Sequence, residues 1–247
     1  MGASFHEIDV QVGRVAGLWR HPVKSLPPEP LRVAEVSWYG IAGDRRWGFV
    51  RAAATAGGFP WLTLRERPDL LRFHPRLVDP SRPDASAVVV TTPAGADLDV
   101  DDPALAAEIG PGVHALKLDR GAFDAAPLSL VSTGTVASLS NLVGSSLAVG
   151  RFRPNILLDG AGEEELVGCT LRAGTVTFRI DSRDRRCRIV DVDPLTGTRD
   201  PDPRTLRAIA RHHQALLGVY ATPVAAGTIA VGDPVTLVAQ TRSVYSE

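Results

Sequence analysis

The sequence predicts a mainly β protein with a few helices (α+β), and three observations carry that prediction. Apolar and polar residues alternate strictly in several short runs, helical periodicity is confined to about three stretches, and turn formers are abundant. There are 23 Gly and 19 Pro in 247 residues. Hydrophobic residues make up 44% and charged residues 22%, ordinary values for a chain that buries a core.

The elements follow in chain order. Val88-Val89-Val90-Thr91-Thr92 reads as a strand, and Pro93-Ala94-Gly95 as the turn of a hairpin. In its second arm Ala96, Leu98 and Val100 alternate with Asp97, Asp99 and Asp101. A short helix is expected from Pro103 to Ile109. A second is expected from about Thr135 to Val143, with Thr133 as its cap and Val136, Leu139, Leu142 and Val143 as its apolar residues. Val176, Phe178 and Ile180, set against Thr175, Thr177 and Arg179, predict another strand. The strongest helix signal runs from about Pro203 to Leu217, with Asp202 as N-cap, Pro203 in the first turn and Gly218 as the stop. Its Leu206, Ile209, His213, Leu216 and Leu217 share one face. Ile229 and Val231, then Gly232-Asp233-Pro234, then Val235 and Leu237 read as a further strand pair. Asp79 to Asp84 is a surface loop by composition, no internal repeat is present, and a boundary between two lobes is expected near Arg120 to Pro127.

Composition excludes several functions. A formal net charge of −1 leaves no general attraction for nucleic acid or anionic membranes, so any anion site must be local. Cys169 and Cys187 are too few for a disulfide framework or a four-cysteine zinc site. No apolar run is long enough to span a membrane. His6, Glu7 and Asp9 stand where a signal peptide needs an apolar core, so a cytoplasmic location with reduced thiols is expected.

Four segments carry unusual chemistry. Tyr39 to Trp47 is a glycine-rich turn delivering Arg45 and Arg46 into an apolar strand, although a solvated Asp-Arg pair would look the same. In His21-Pro22-Val23-Lys24-Ser25 an ammonium and a hydroxyl could hold a phosphate, or simply sit in a turn. Arg151-Phe152-Arg153-Pro154-Asn155 alternates two arginines into an apolar run, which requires an anionic partner, internal or bound. Arg183-Asp184-Arg185-Arg186-Cys187-Arg188 sets a cysteine among guanidiniums, which favour the thiolate that binds a soft metal or attacks sulfur. A solvated charge run would leave the same pattern. Cys169, with no charged neighbour, reads as a small buried residue. Gly110-Pro111-Gly112 lacks the lysine or third glycine of a nucleotide loop, and adjacent His212 and His213 point to different helix faces.

Taken in order, these segments resemble the MOSC-domain family, especially the two-part type of the amidoxime-reducing proteins. The likeness rests on Pro22-Val23-Lys24-Ser25, Gly43-Asp44-Arg45-Arg46-Trp47, Thr63-Leu64-Arg65, Leu130-Val131-Ser132 and Arg151 to Ile156. It continues in Arg186-Cys187 with Val192 to Gly197, and in Gly227 to Asp233. The resemblance implies two β-barrel-like lobes of MOSC type, residues 8–122 and 123–240, with a molybdenum cofactor (molybdopterin) between them. By the same likeness Cys187 is the catalytic, metal-ligating thiolate. Lys24, Ser25, Arg45, Arg65, Ser132, Arg153, Asn155 and Arg186 are the cofactor-binding residues. The implied activity is reduction of small N-hydroxylated or N-oxide substrates by a monomer fed by a separate electron-donor reductase. A sulfur carrier using a Cys187 persulfide and a cofactor carrier are the alternatives. One departure stands out: relatives often carry a cysteine at the position of Asp184 and a small polar residue at that of Arg185. That places charge beside the metal position.

Overall fold

The computed structural model describes residues 10–51, 60–160 and 162–238. His6, Glu7, Asp9 and the outermost residues of both expected domains lie outside them. The first half holds β1 (Gln11–Arg20), β2 (Glu29–Leu31), β3 (Val33–Ser37), β4 (Gly40–Ile41), β5 (Trp47–Arg51), β6 (His74–Leu77), β7 (Val88–Thr91), β8 (Asp97–Asp99), α1 (Pro103–Ile109) and β9 (Val113–Lys117). The second holds β10 (Leu128–Ser132), α2 (Thr133–Val143), β11 (Ile156–Asp159), β12 (Thr170–Ala173), β13 (Val176–Arg185), α3 (Arg204–His213), β14 (Leu216–Ala225), β15 (Gly227–Ala230) and β16 (Pro234–Leu237).

Mainly β structure with three α-helices among the described residues is what the alternation and turn content require. The strands β11-β10-β14-β13-β12-β16-β1 form a ring that closes where β1 pairs with β11, and β2 hangs on the outer edge of β1. Closure removes the free edges that would otherwise invite pairing with another chain. The barrel therefore takes its first strand from the N-terminal half and the rest from the C-terminal half. Along β13 the period-two pattern does as expected: Val176, Phe178 and Ile180 are fully buried and Arg179 is exposed. Each such side chain contributes roughly 1.5–3 kcal/mol by leaving water.

Outside the ring, α2 and α3 pack through Leu139 and Ile209 against Leu217 of β14 and Phe152. The other lobe has its own core of Phe49, Leu64, Leu70, Phe73, Val90 and Leu105, covered by the sheet β6-β7-β8, the pair β5-β9 and α1. The expected hairpin Val88–Val100 is β7 and β8, turned at Gly95 with φ 85°. Among the described residues no helix is long and apolar enough to cross a membrane.

Three local expectations are corrected. The C-terminal helix stops at His213, because Gln214 and Ala215 are both left-handed (φ 58° and 63°) and Leu216 opens β14. Its N-terminus is served not by Asp202 but by Asp191, whose Oδ1 accepts from the N–H groups of Thr205 and Leu206 at 3.1 Å each. No local spacing signals a cap supplied from another segment. Ser132, not Thr133, caps α2 by accepting from Thr135 N. Finally, β15 and β16 do not pair with each other. The tight turn at Gly232-Asp233 sends β15 to β3 and β16 to β12 and β1, with Asp233 Oδ2 accepting from Ala230 N at 2.8 Å.

Candidate functional site

The four unusual segments converge on one cleft between the barrel and the other lobe. Lys24, Ser25, Arg45, Arg65, Arg153, Asn155, Arg186 and Cys187 all line it, joined by Ser129, Asp124, Asp184, Arg185 and Tyr220.

Beyond β1 the chain makes a turn, with Lys24 N bonded to Trp47 O at 2.7 Å and Ser25 held at φ 70°. Lys24 Nζ donates to Ala122 O and Asp124 Oδ1, both at 2.7 Å. Burial lowers the Lys24 pKa although Asp124 opposes it; burial works to raise that of Asp124, but Lys24 together with Arg45 and Arg65 lowers it. Gly43 precedes Asp44 at φ 78°, where a Cβ would lie 2.9 Å from Pro83 Cβ. This turn presents Asp44, fully buried, so that Oδ1 accepts from His21 N at 2.6 Å and Oδ2 pairs with Arg45. Arg45 in turn donates to Asn155 Oδ1 at 3.2 Å and Arg153 O at 3.1 Å. Asn155 ties the network to the barrel, since its Oδ1 also accepts from Ser129 N and its Nδ2 donates to Trp19 O. Arg153 donates to Leu26 O at 2.8 Å, and burial together with the adjacent Arg45 lowers its pKa. An anion bound here would relieve both penalties.

The opposite wall comes from β13 and β14. Register shifts between Ile180 and Ser182 and between Arg183 and Arg185 interrupt the alternation. The four consecutive residues Asp184-Arg185-Arg186-Cys187 then line the same cleft. Arg186 bridges to Asp184 at 2.9 Å and donates to Leu217 O at 2.7 Å and Phe152 O at 2.9 Å. Gly218 (φ 77°) makes room for it, because a Cβ there would lie 2.7 Å from Arg186 Nη2. This glycine, expected to stop a helix, serves the site instead. Burial raises the pKa of Asp184, and burial plus the Asp184 carboxyl raises that of its hydrogen-bonded partner Tyr220. Cys187 Sγ accepts from Arg65 Nε at 3.3 Å, a contact between the two lobes. The loop beyond Cys187 is pinned by Arg151, which donates to Val190 O and Val192 O, and by the Asp193 turn that follows.

Backbone strain concentrates here too. The non-glycine residues with positive φ among the described residues are Ser25, Arg45, Arg153, Gln214 and Ala215. Three line the cleft, and Ala215 O receives Arg186 N at 2.9 Å. Such conformations cost of order 1 kcal/mol each and persist where surrounding structure or function demands them.

Ser132 is the one expected site residue that does not line the cleft. It is buried as the cap of α2, bonded to Thr135. The strand residue facing the cleft is Ser129, also buried, whose hydroxyl has no protein partner; Arg186 Nη2 is likewise buried without one. A serine set in the apolar run Leu128 to Val131 was the signal for Ser129. Nothing local distinguished Asp124 or Tyr220, which reach the cleft from distant segments.

Comparison with known proteins gives the family of the fold. Residues 117–236 match the MOSC domain, and residues 12–126 match the MOSC N-terminal beta barrel domain. The chain is a MOSC-domain protein with the N-terminal barrel domain. It is 32% identical to a molybdenum cofactor sulfurase of Drosophila grimshawi over 44% of this chain and 15% of that protein. It is 34% identical to that of Drosophila mojavensis over 37% of this chain and 12% of that protein. The chain thus spans a small fraction of those sulfurases, and its relation is to their MOSC portion. The YUAD protein from Bacillus subtilis shares the fold, with a TM-score of 0.52 at 13% identity over 91% of this chain and 94% of that one. MOSC domains are linked to molybdenum cofactor metabolism, and the donor set of the cleft suits such a group. Cations suit a phosphate, the two orphaned donors suit a polar ring system, and one thiol suits a soft metal.

Proposed function

We propose that this MOSC protein binds a molybdenum cofactor in the cleft and reduces small N-hydroxylated or N-oxide compounds, with Cys187 as the metal ligand. The observation that carries the reading is one thiol set in a cationic cleft whose wall holds buried, unpartnered donors, Ser129 Oγ and Arg186 Nη2. A buried donor without a partner costs about 1–3 kcal/mol, which a bound polar ligand would offset.

Lys24, Ser25, Arg45 and Arg153 are assigned to the phosphate, because they set three cationic side chains and a hydroxyl together on one wall of the cleft. Asn155 holds Arg45 in place rather than competing for the anion. Arg186 and Ser129 would offer donors to the ring system, and Cys187, whose sulfur accepts from Arg65, would hold the metal. When bound, the cofactor supplies the two-electron chemistry that removes oxygen from an N–O bond and releases it as water. Asp184, whose pKa burial raises, is the carboxyl of the lining that would supply a proton to this water, with the Tyr220 phenol beside it. The two cysteines of the chain cannot hold an iron–sulfur cluster, so the electrons are assigned to a separate reductase. The chain is assigned to the cytoplasm, as a monomer.

The test is elemental analysis of protein purified from a cofactor-producing host. Near-stoichiometric molybdenum in the wild type and little in Cys187→Ser, with benzamidoxime reduction lost in parallel, is the expected result. Molybdenum-dependent reduction that survives in the variant would sink the assignment. A second reading is favoured by the named relatives, both molybdenum cofactor sulfurases. In it Cys187 carries a persulfide sulfur to an acceptor. That reading requires an added mass of one sulfur on Cys187 after incubation with a cysteine desulfurase and cysteine.

A further inference from the structure

The cleft carries more positive charge than the arrangement around Cys187 uses. Its lining holds Lys24 and six arginines against two carboxylates, Asp124 and Asp184, in a chain whose formal net charge is −1. Most of these cations already have work within the protein. Lys24 pairs with Asp124, Arg45 with Asp44, Arg151 with Asp193 and Arg186 with Asp184. Arg153 donates to Leu26 O, and Arg65 to the Cys187 sulfur.

Arg185 differs from all of them. It lines the cleft, is exposed, and its side chain makes no hydrogen bond or ion pair among the described residues, although its backbone is registered with Leu216 in the β13–β14 ladder. It also stands at a defined place. The bulge that turns Asp184 to Cys187 toward the cleft puts Arg185 on the open side, while Asp184 is buried behind it. Two residues of extended chain separate Arg185 from Cys187, which is at most about 7 Å between their Cα atoms. A guanidinium unneutralised by protein, in a cleft of like sign, is the feature that captures an anion and orients it through a forked pair of N–H donors.

We propose that Arg185 is a specificity-determining residue, and that the substrates reduced at Cys187 carry an anionic group, a carboxylate or a phosphate ester, on the end remote from the N–O bond. The inference rests on the reduction reading above. Arg185 takes no part in bond breaking: it sets which molecules dwell in the cleft with the N–O group toward Cys187. The residues deeper in the cleft hold the cofactor's phosphate, so the substrate anion and the cofactor anion occupy opposite ends of one cationic surface.

The test compares benzamidoxime with 4-carboxybenzamidoxime, two compounds of the same shape that differ in charge, on cofactor-loaded protein with dithionite-reduced methyl viologen as electron source. The wild type is expected to favour the carboxylate about tenfold in kcat/KM, chiefly through KM, the lower end of what a charge-assisted hydrogen bond provides. In Arg185→Gln the ratio should fall to near one, and in Arg185→Glu it should invert, with molybdenum content measured in each preparation. Calorimetric titration of both compounds into the same proteins supplies a readout independent of turnover. A wild-type ratio near one, or a carboxylate preference that survives in Arg185→Gln, overturns the proposal. If no protein reduces either compound, the reduction reading fails. Tighter calorimetric binding of the carboxylate to wild type than to Arg185→Gln then still supports Arg185 as the anion site, and equal binding overturns it.

Discussion

The buried end of the cleft and its open end are both rich in arginine, yet they are built differently. At the buried end, Arg45 and Arg153 are fastened to backbone carbonyls, Asn155 and Asp44, and their own backbones are held at positive φ. At the open end, the Arg185 side chain has no partner among the described residues, and Cys187 accepts a hydrogen bond from Arg65 of the other lobe. The difference teaches that the same residue type can be fixed in place by partners inside the chain at one end of a cleft and left with its side chain open to solvent at the other. Substitutions at the two ends should therefore fail in different ways.

The largest effect is expected at the buried end. Asp44→Ala removes the carboxylate that pairs with Arg45 and accepts from His21 N, leaving a guanidinium without its counter-ion. Breaking one side of a buried pair costs about 3–5 kcal/mol, to be read from urea unfolding. A loss below about 1 kcal/mol would show that the network is not structural and would collapse the comparison.

Next in size is a pH effect at the same end. His21 is fully buried, and burial first, then Arg45 and Arg153, lower its pKa well below the usual value. The folded state therefore resists protonation that the unfolded state accepts. This contribution is absent above the unfolded pKa of about 6.5 and becomes destabilising as pH falls below it, at up to about 1.4 kcal/mol per pH unit. Denaturant titrations of wild type and His21→Asn at pH 7 and pH 5 should show the extra slope only in the wild type. Parallel slopes would place the acid sensitivity elsewhere.

The smallest effect on stability belongs to the open end. Cys187→Ser should leave the unfolding free energy of the cofactor-free protein within about 0.5 kcal/mol of wild type while abolishing metal retention. A large destabilisation would mean that Cys187 belongs to the scaffold after all.

Much of this was legible in the chain. Alternation at Val176 to Ile180 and at Val88 to Val100 gave real strands, since side-chain direction in a strand depends only on local period. Oddly placed arginines, a Lys-Ser pair and a cysteine among guanidiniums marked Lys24, Ser25, Arg45, Arg153, Arg186 and Cys187, all of which line the cleft, because buried or clustered charge is chemically conspicuous wherever it occurs. The misses share a cause. Asp191 capping α3 from another segment, Gly218 vacating space for Arg186, and Ser129 facing the cleft in place of Ser132 depend on neighbours distant in sequence.

By itself the sequence determined the class of fold, the cationic segments and the identity of the one thiol set among them, all of which follow from residue chemistry and short-range period. Only the tertiary structure decided that the first strand closes a barrel made by the second half. It alone decided that Lys24 pairs with Asp124 and Arg151 with Asp193, because pairing of charge depends on distance in space, which separation along the chain fixes only for near neighbours such as Asp44 and Arg45.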